Sequence, residues 1–428
     1  MTTAVNYWDL DHQIVYGFLL LTLFYGLYVG RNNKDITDYA IAGKSYGTST
    51  LVLTLLATQM GGGSTVGNVQ NIFSDGIIMA LVTGIFGFSY LFVGLWVAAR
   101  IVSFEGSITL GDIMSRMYGR DSKWVVGIIG ATYSIIIVAA QMLTLGYICE
   151  YLLHLDKGWS IIMVSAIIIV YSAFGGMKSV AKTDVAQFAV LIVMIPILSS
   201  VVTAKAGGIS EIFHILPASK LQIFSHPKYY DYLSLFLVWG LFPSMILNPP
   251  CLQWILMAKS SRQAKSMYLI SAAFAPMFNL IIMFIGLGAF VLYSTIQPEV
   301  AMLHVIEKLL PAGIQGLAVA GLLAVVMSTG DSYLNSGGIM FTHDVVKPLY
   351  DRKKWVLNEL LFVKIATCLL GVMAAFIAYK ADNIIRLLFY ASALLGPLTT
   401  IPLIAGVMGI KTDAKTFFTA FFTTLAAF

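Results

Sequence analysis

Charge is scarce in this chain. Asp, Glu, Lys and Arg supply only 11% of its 428 residues, against roughly a quarter in a soluble domain. Cysteine is scarcer still. Cys149, Cys251 and Cys368 all fall within apolar runs, with no CxxC or Cys/His metal spacing, which excludes a disulfide scaffold and a zinc module. The residues ahead of the first apolar run (Asn6, Trp8, Asp9, Asp11, His12) are not a basic leader, so no cleaved signal peptide is expected. HExxH, GxSxG and Walker motifs are missing, and the six histidines sit mostly in loops or near helix ends. Those absences argue against an enzyme and predict no organic cofactor. The net charge of +5 comes from loop Lys and Arg, so no nucleic-acid partner is expected. Long alternating stretches are missing too, which excludes a β-barrel.

What the sequence has is apolar length. Residues AVILMFWYC make up 58% of it, in continuous runs. A spanning helix needs about 20 mostly apolar residues. About twelve segments qualify or nearly so: 14–30, 51–73, 76–102, 124–153, 159–175, 184–204, 232–258, 267–296, 314–346, 356–379, 384–408 and a run from Phe417 that reads as a shortened C-terminal helix. The predicted class is an all-α polytopic membrane protein, with the lipid bilayer as its surroundings.

Alternate loops carry most of the Lys and Arg: Arg31, Lys34 and Lys44; Arg100, Arg116, Arg120 and Lys123; Lys178 and Lys182; Lys259, Arg262 and Lys265; Lys347, Arg352, Lys353 and Lys354; Lys411 and Lys415. The intervening loops carry only Lys157, Lys205, Lys220, Lys228, Lys308 and Lys380. Cytoplasmic loops hold the basic excess, here roughly three to one. The expectation is a bacterial inner (plasma) membrane protein with its N-terminus outside.

Two segments are interrupted at matching places. The second contains Gly61, Gly62, Gly63 and Gly67; the seventh contains Pro243, Pro249 and Pro250. Each glycine weakens a helix by about 1 kcal/mol relative to Ala, and proline removes a backbone donor. Broken helices in corresponding positions of two halves are the mark of an inverted-repeat transporter, with ion and solute sites at the breaks. The predicted organisation is an N-terminal helix and loop (1–47), a first repeat (48–204), an external loop (205–230), a second repeat (231–410) and the start of a further helix (411–428).

Polar residues inside the membrane mark function. Ser328, Asp331 and Ser332 lie three and four apart on one helix face. Hydroxyls and a carboxylate facing freed carbonyls at the Gly61 break suit a hard cation. Asp184 is a second acid, followed by Gln187 one turn on; a helix N-cap near the cytoplasmic surface is its bland reading. Gln59 and Gln141 are polar groups in apolar runs. Glu150, Asp344, Glu359 and Lys364 sit near segment ends and read as interface residues. Arg386 reads as snorkelling to the outer surface.

Three stretches carry a resemblance. They are Ala57-Thr58-Gln59-Met60-Gly61-Gly62-Gly63 with Gly67; Tyr171 through Val180 into Thr183-Asp184 and Gln187; and Gly321 through Met327-Ser328-Thr329 to Asp331-Ser332, followed by Asp344. In this order they resemble the sodium/solute symporter family, which includes transporters for proline, pantothenate, sialic acid, galactose and choline. The resemblance implies a LeuT-like five-plus-five inverted repeat with one preceding helix, and sodium as the coupling ion. It implies a main sodium site from the carbonyls of Ala57, Met60 and Val325 with the hydroxyls of Ser328 and Thr329. A second cation, sodium or a proton, is expected near Asp184, Asp331 and Ser332. The solute pocket is expected beside Gln59, Gly62, Ser64, Thr83, Gln141 and Asn248.

The chain departs from the family in two places. Gln59, Ile137 and Asn248 stand where the choline branch has cage tryptophans, so the cation–π cage for a quaternary ammonium is missing. Trp254 stands where many members have Arg. The expected function is sodium-coupled import of a small polar organic solute such as an amino acid or carboxylate. A proton-coupled transporter of the same fold and a transporter-like sensor domain are the alternatives. Oligomeric state is not legible.

Overall fold

A computed structural model describes residues 7–31, 33–241, 243, 246–381, 384–410 and 412–426. Among them all regular structure is helical. Asn6 and Lys411 lie outside the described residues, as does the side chain of Arg386.

Helix α1 spans Leu10–Gly30 and starts where the Asp9 carboxylate accepts the His12 N–H at 2.9 Å. The second segment is broken, as its glycines predict. Helix α2 (Thr48–Gln59) stops, and the chain continues through a wide turn at Gly63–Gly67 into α3 (Asn68–Asp75). Then follow α4 (Ile77–Val102), the short α5 (Leu110–Tyr118) and α6 (Arg120–Leu153).

Helix α7, Lys157–Lys205, is two helical halves that meet at a kink at Gly176, whose φ of 63° only glycine tolerates well. This revises the predicted loop around Lys178 and Lys182. The helix resumes directly after Gly176, so Asp184 lies two turns inside it and is no N-cap. Tyr39, from the short helix Ile36–Ile41, packs its ring against Gly176.

The second half repeats the pattern of a break. Helix α8 (Tyr229–Leu241) is followed by α9 (Pro249–Leu256), which starts where Asn248 accepts the Cys251 N–H at 3.1 Å and Pro249 takes the first helical position. Then come α10 (Ser261–Leu292), α11 (Ile314–Arg352), α12 (Glu359–Lys380), α13 (Ile384–Leu395) and α14 (Ala414–Ala426). Eight described helices are long and apolar enough to cross a membrane. The two broken segments fall outside that number because each half is too short alone.

Burial ranks the helices. The best apolar window of α11 is 94% buried, whereas those of α1 and α12 are 33% buried. So α11 is the central post and α1 and α12 are peripheral. Exposed Leu21, Val372 and Phe376 belong to the lipid-facing rim.

Asp11 holds α1 to that post. One of its carboxylate oxygens accepts the N–H groups of both Gly313 and Gly316, each at 2.7 Å. A negative side chain therefore caps the start of α11, where helix N–H groups are otherwise orphaned. Asp11→Ala is expected to cost about 1–2 kcal/mol. Thermal unfolding in detergent should show the loss, with the sodium titration unchanged.

Asp344 corrects an expectation. It was expected at the interface, but it is fully buried. Helix α5 folds over the C-terminal end of α11, with Gly111 letting one backbone close on the carboxylate and Gly127 letting another close on the Asp344 Cβ. Asp344 accepts from Thr109 at 2.7 Å and faces Lys123 at 3.7 Å. Lys123 also pairs with Asp112 at 2.6 Å. Burial pushes the Asp112 carboxyl up, but the His343 hydrogen bond and the His343 and Lys123 charges prevail and hold it below the usual range. Glu359, at the start of α12, is bonded by Lys347 and His343. Glu150 is exposed near the end of α6, and the Lys364 ammonium lies 5.7 Å from the centre of the Phe174 ring.

Candidate functional site

The end of α2 is where the helix ladder runs out. Of the last four carbonyls, that of Leu56 takes the Met60 N–H at 2.9 Å. That of Thr58 takes the Thr329 hydroxyl at 3.0 Å, and that of Gln59 takes the Ser64 hydroxyl at 2.8 Å. The Ala57 carbonyl is the remaining one. Gly62 turns its N–H away to the Gln141 side-chain oxygen, 3.2 Å off. A helix cannot continue through Met60, whose ψ of 43° lies outside the helical range.

The break is packed tightly against α11. A Cβ on Gly61 would collide with the Thr329 hydroxyl, and would sit 3.0 Å from Thr329 Cβ and 3.2 Å from the Gln141 oxygen. Only glycine lets the backbone come this near.

Asp184 from α7 sits on the other side of the same α2 end, fully buried. The hydroxyl of Thr54 donates to one of its oxygens and that of Ser328 to the other, the latter at 2.5 Å. Ser328 was assigned to the main cation site and Asp184 to a second one. The structure ties the two together through a single hydroxyl. Thr54 and Ser328 thus converge from two helices on one acid, while Thr329 bonds the Thr58 carbonyl beside them.

The second acid is held differently. Asp331 is fully buried and accepts the Tyr171 phenol at 2.7 Å; its other carboxylate oxygen has no protein donor. The Asp331 backbone carbonyl accepts from Asn335 at 3.1 Å, and the Asn335 side-chain oxygen accepts the Tyr39 phenol at 2.9 Å. Ser332 lies 3.0 Å from the Thr58 hydroxyl. So Ser332 faces α2, Asp331 faces α7, and their shared helix turn separates them.

Of the expected solute residues, Gln59, Gly62, Ser64 and Gln141 gather at the α2 break. The Gln59 amide donates to the Cys251 sulfur at 2.8 Å, which joins this break to α9 and its cap Asn248. Thr83 is placed elsewhere: its hydroxyl bonds Asn279 at 2.8 Å, between α4 and α10. Val325 offers its carbonyl to Thr329 at 3.3 Å.

Thr54 contributes to the site without having been singled out for it, and Tyr171 and Trp254, noted only as part of a family stretch and as a departure from the family, join it through Asp331 and Thr58. Thr54 and Thr58 are four apart in an apolar run, so a hydroxyl stripe on one face was readable. Tyr171 stands in a family stretch, but its partner is not readable there, because it meets Asp331 from another helix.

The model of the sodium:solute symporter family matches residues 39–423. The chain belongs to this family. Its relatives are transporters. High-affinity choline transporter 1 of Drosophila melanogaster is 26% identical over 392 residues, covering 86% of this chain and 62% of that protein. High-affinity proline transporter PutP of Bacillus subtilis (strain 168) is 26% identical over 400 residues, covering 87% and 81%. The chain therefore spans under two thirds of the fly transporter's length. Among solved structures, the substrate-bound outward-open state of a Na+-coupled sialic acid symporter superposes with a TM-score of 0.82 at 18% identity, covering 96% of this chain and 89% of that one. That likeness places the chain within the LeuT-like fold class.

Proposed function

We propose that this symporter imports a small polar organic solute with sodium, by alternating access across a bacterial inner membrane, its N-terminus outside. The observation that carries the proposal is the Ser328 hydroxyl on Asp184, set against the open carbonyl end of α2. A hard cation wants several oxygens, and here a buried carboxylate, hydroxyls and freed carbonyls meet at a broken helix. Sodium would bind between the Ala57 and Met60 carbonyls, the Val325 carbonyl and the Ser328 and Thr329 hydroxyls. Asp184, with Asp331 and Ser332 nearby, supports a second cation.

The two broken segments support a five-plus-five repeat, with 48–204 and 231–410 as its halves. The solute lies beside Gln59, Gly62, Ser64, Gln141 and Asn248, whose amides and hydroxyls suit a zwitterion, a small carboxylate or a neutral polar solute. Sodium draws the α2 end onto α11 and shapes that pocket. Each ligand then tightens the other by one common factor.

Ser328→Ala is expected to raise the sodium needed for half-maximal solute uptake about tenfold, the value of one hydrogen bond to a charged group. The substrate class comes from a thermal-shift screen of purified protein, with sodium or potassium, against amino acids, carboxylates, sugars and quaternary amines. A solute at a hundred times its dissociation constant stabilises by about 2.7 kcal/mol. A Ser328→Ala protein with unaltered sodium dependence would remove that hydroxyl from the site.

A further inference from the structure

The two breaks touch each other through one face of α9. Cys251 and Trp254 are three residues apart and share that face. Cys251 receives the Gln59 amide at 2.8 Å. Trp254 is fully buried, and its indole N–H donates to the Thr58 hydroxyl at 3.1 Å. Gln59 belongs to the solute side of the α2 break and Thr58 to its cation side. One rigid helical turn therefore rests on both sites.

Thr58 is held at three points. Its hydroxyl accepts the Trp254 N–H and lies 3.0 Å from Ser332, and its carbonyl accepts Thr329 at 3.0 Å. The residue before it is Ala57, whose carbonyl belongs to the proposed sodium site. Where Thr58 sits decides where that carbonyl points. An indole N–H can only donate, so no proton rearrangement lets Trp254 hold Thr58 in another way. Losing the bond leaves a buried donor unpaired unless α9 shifts.

We infer that Trp254 is a positioning residue: it transmits the seating of α9 beside the solute to the Thr58 backbone beside sodium. This rests on the sodium site proposed above. Solute contact near Asn248 and Gln59 fixes α9; α9 fixes Thr58; Thr58 fixes the Ala57 carbonyl and the Thr329 hydroxyl. The coupling runs both ways, because linkage between two ligands is reciprocal.

The test uses the full chain, purified, titrated with sodium chloride against potassium chloride at constant ionic strength. The variants are Trp254→Phe, which keeps a ring and removes the N–H, Thr58→Val, which keeps the shape and removes the hydroxyl, and the two together. Each single variant is expected to raise the sodium giving half-maximal thermal stabilisation about fivefold, the worth of one neutral hydrogen bond. The double variant is expected to be no worse than the poorer single one, because both remove the same link. Ser328→Ala runs alongside. If it shifts the sodium titration and Trp254→Phe does not, the inference is overturned and the sodium site stands. If neither shifts it, the site is wrong and the inference falls with it. A Trp254→Phe protein that melts lower but keeps the wild-type half-saturation shows packing alone, and also overturns the inference. Should that variant not fold, Trp254→Leu, which also removes the indole N–H and leaves the Thr58–Ser332 contact in place, decides the matter by the same sodium titration.

Discussion

Replacing Asp184 by Asn is expected to raise the sodium required for half-maximal stabilisation about a hundredfold, and to silence uptake at ordinary sodium. The carboxylate is fully buried, and both of its oxygens are engaged by neutral hydroxyls, Thr54 on one and Ser328 on the other. A charge inside a membrane protein is costly and is matched by a partner. Two hydroxyls do not match it; the proposed cation would. Asn keeps the size and one acceptor, but it removes the charge and turns an amide donor toward one of the hydroxyls. A charged hydrogen bond is worth roughly 1.5–3 kcal/mol, and each 1.4 kcal/mol is about tenfold. A sodium titration of the purified variant gives the answer. Wild-type half-saturation would take Asp184 out of the cation site.

Gly61→Ala is expected to abolish sodium-dependent uptake and flatten the sodium titration. The added carbon would strike the Thr329 hydroxyl and crowd Thr329 Cβ at 3.0 Å. Neither can yield easily. Thr329 stands on α11, the most enclosed helix, and its hydroxyl is bonded to the Thr58 carbonyl. Overpacking of this kind costs about 1–3 kcal/mol, and here the strain falls on the proposed cation ligands themselves. Gly338→Ala is the control. Its Cβ would meet Thr367 between α11 and α12, away from the break. That variant should lose comparable stability and keep the sodium half-saturation. If both variants titrate alike, the close approach at Gly61 is ordinary packing.

The helices and both breaks were legible because their causes are local. Apolar length, the run Gly61-Gly62-Gly63 and the pair Pro249-Pro250 act within a few residues. The family stretches pointed to Ser328, Thr329 and Asp184. What stayed hidden was which groups meet. Nothing in the order of residues says that Ser328 turns its hydroxyl to Asp184, 144 positions away. Thr83 is a polar residue in an apolar run, like Gln141, yet one faces Asn279 and the other the α2 break. Asp344 read as an interface residue because it lies near the end of a segment. A short helix folded over that end reverses the reading, and the sign for it lay in Gly111 and Gly127 rather than near the acid.

The order of synthesis gives the enclosure of α11 a further meaning. This helix is among the least apolar of the spanning ones, yet it carries Asp331, Asp344 and a row of hydroxyls. A lone acid at mid-membrane opposes insertion by about 2.5–3.5 kcal/mol. By the time the ribosome reaches α11, helices α2, α6 and α7 have already been made, and with them Thr58, Lys123 and Tyr171. The late helix enters a lipid phase that already holds its polar partners. Asp184 is made early, with Thr54 at hand, and waits for Ser328. Its own helix is among the most apolar of the described spans.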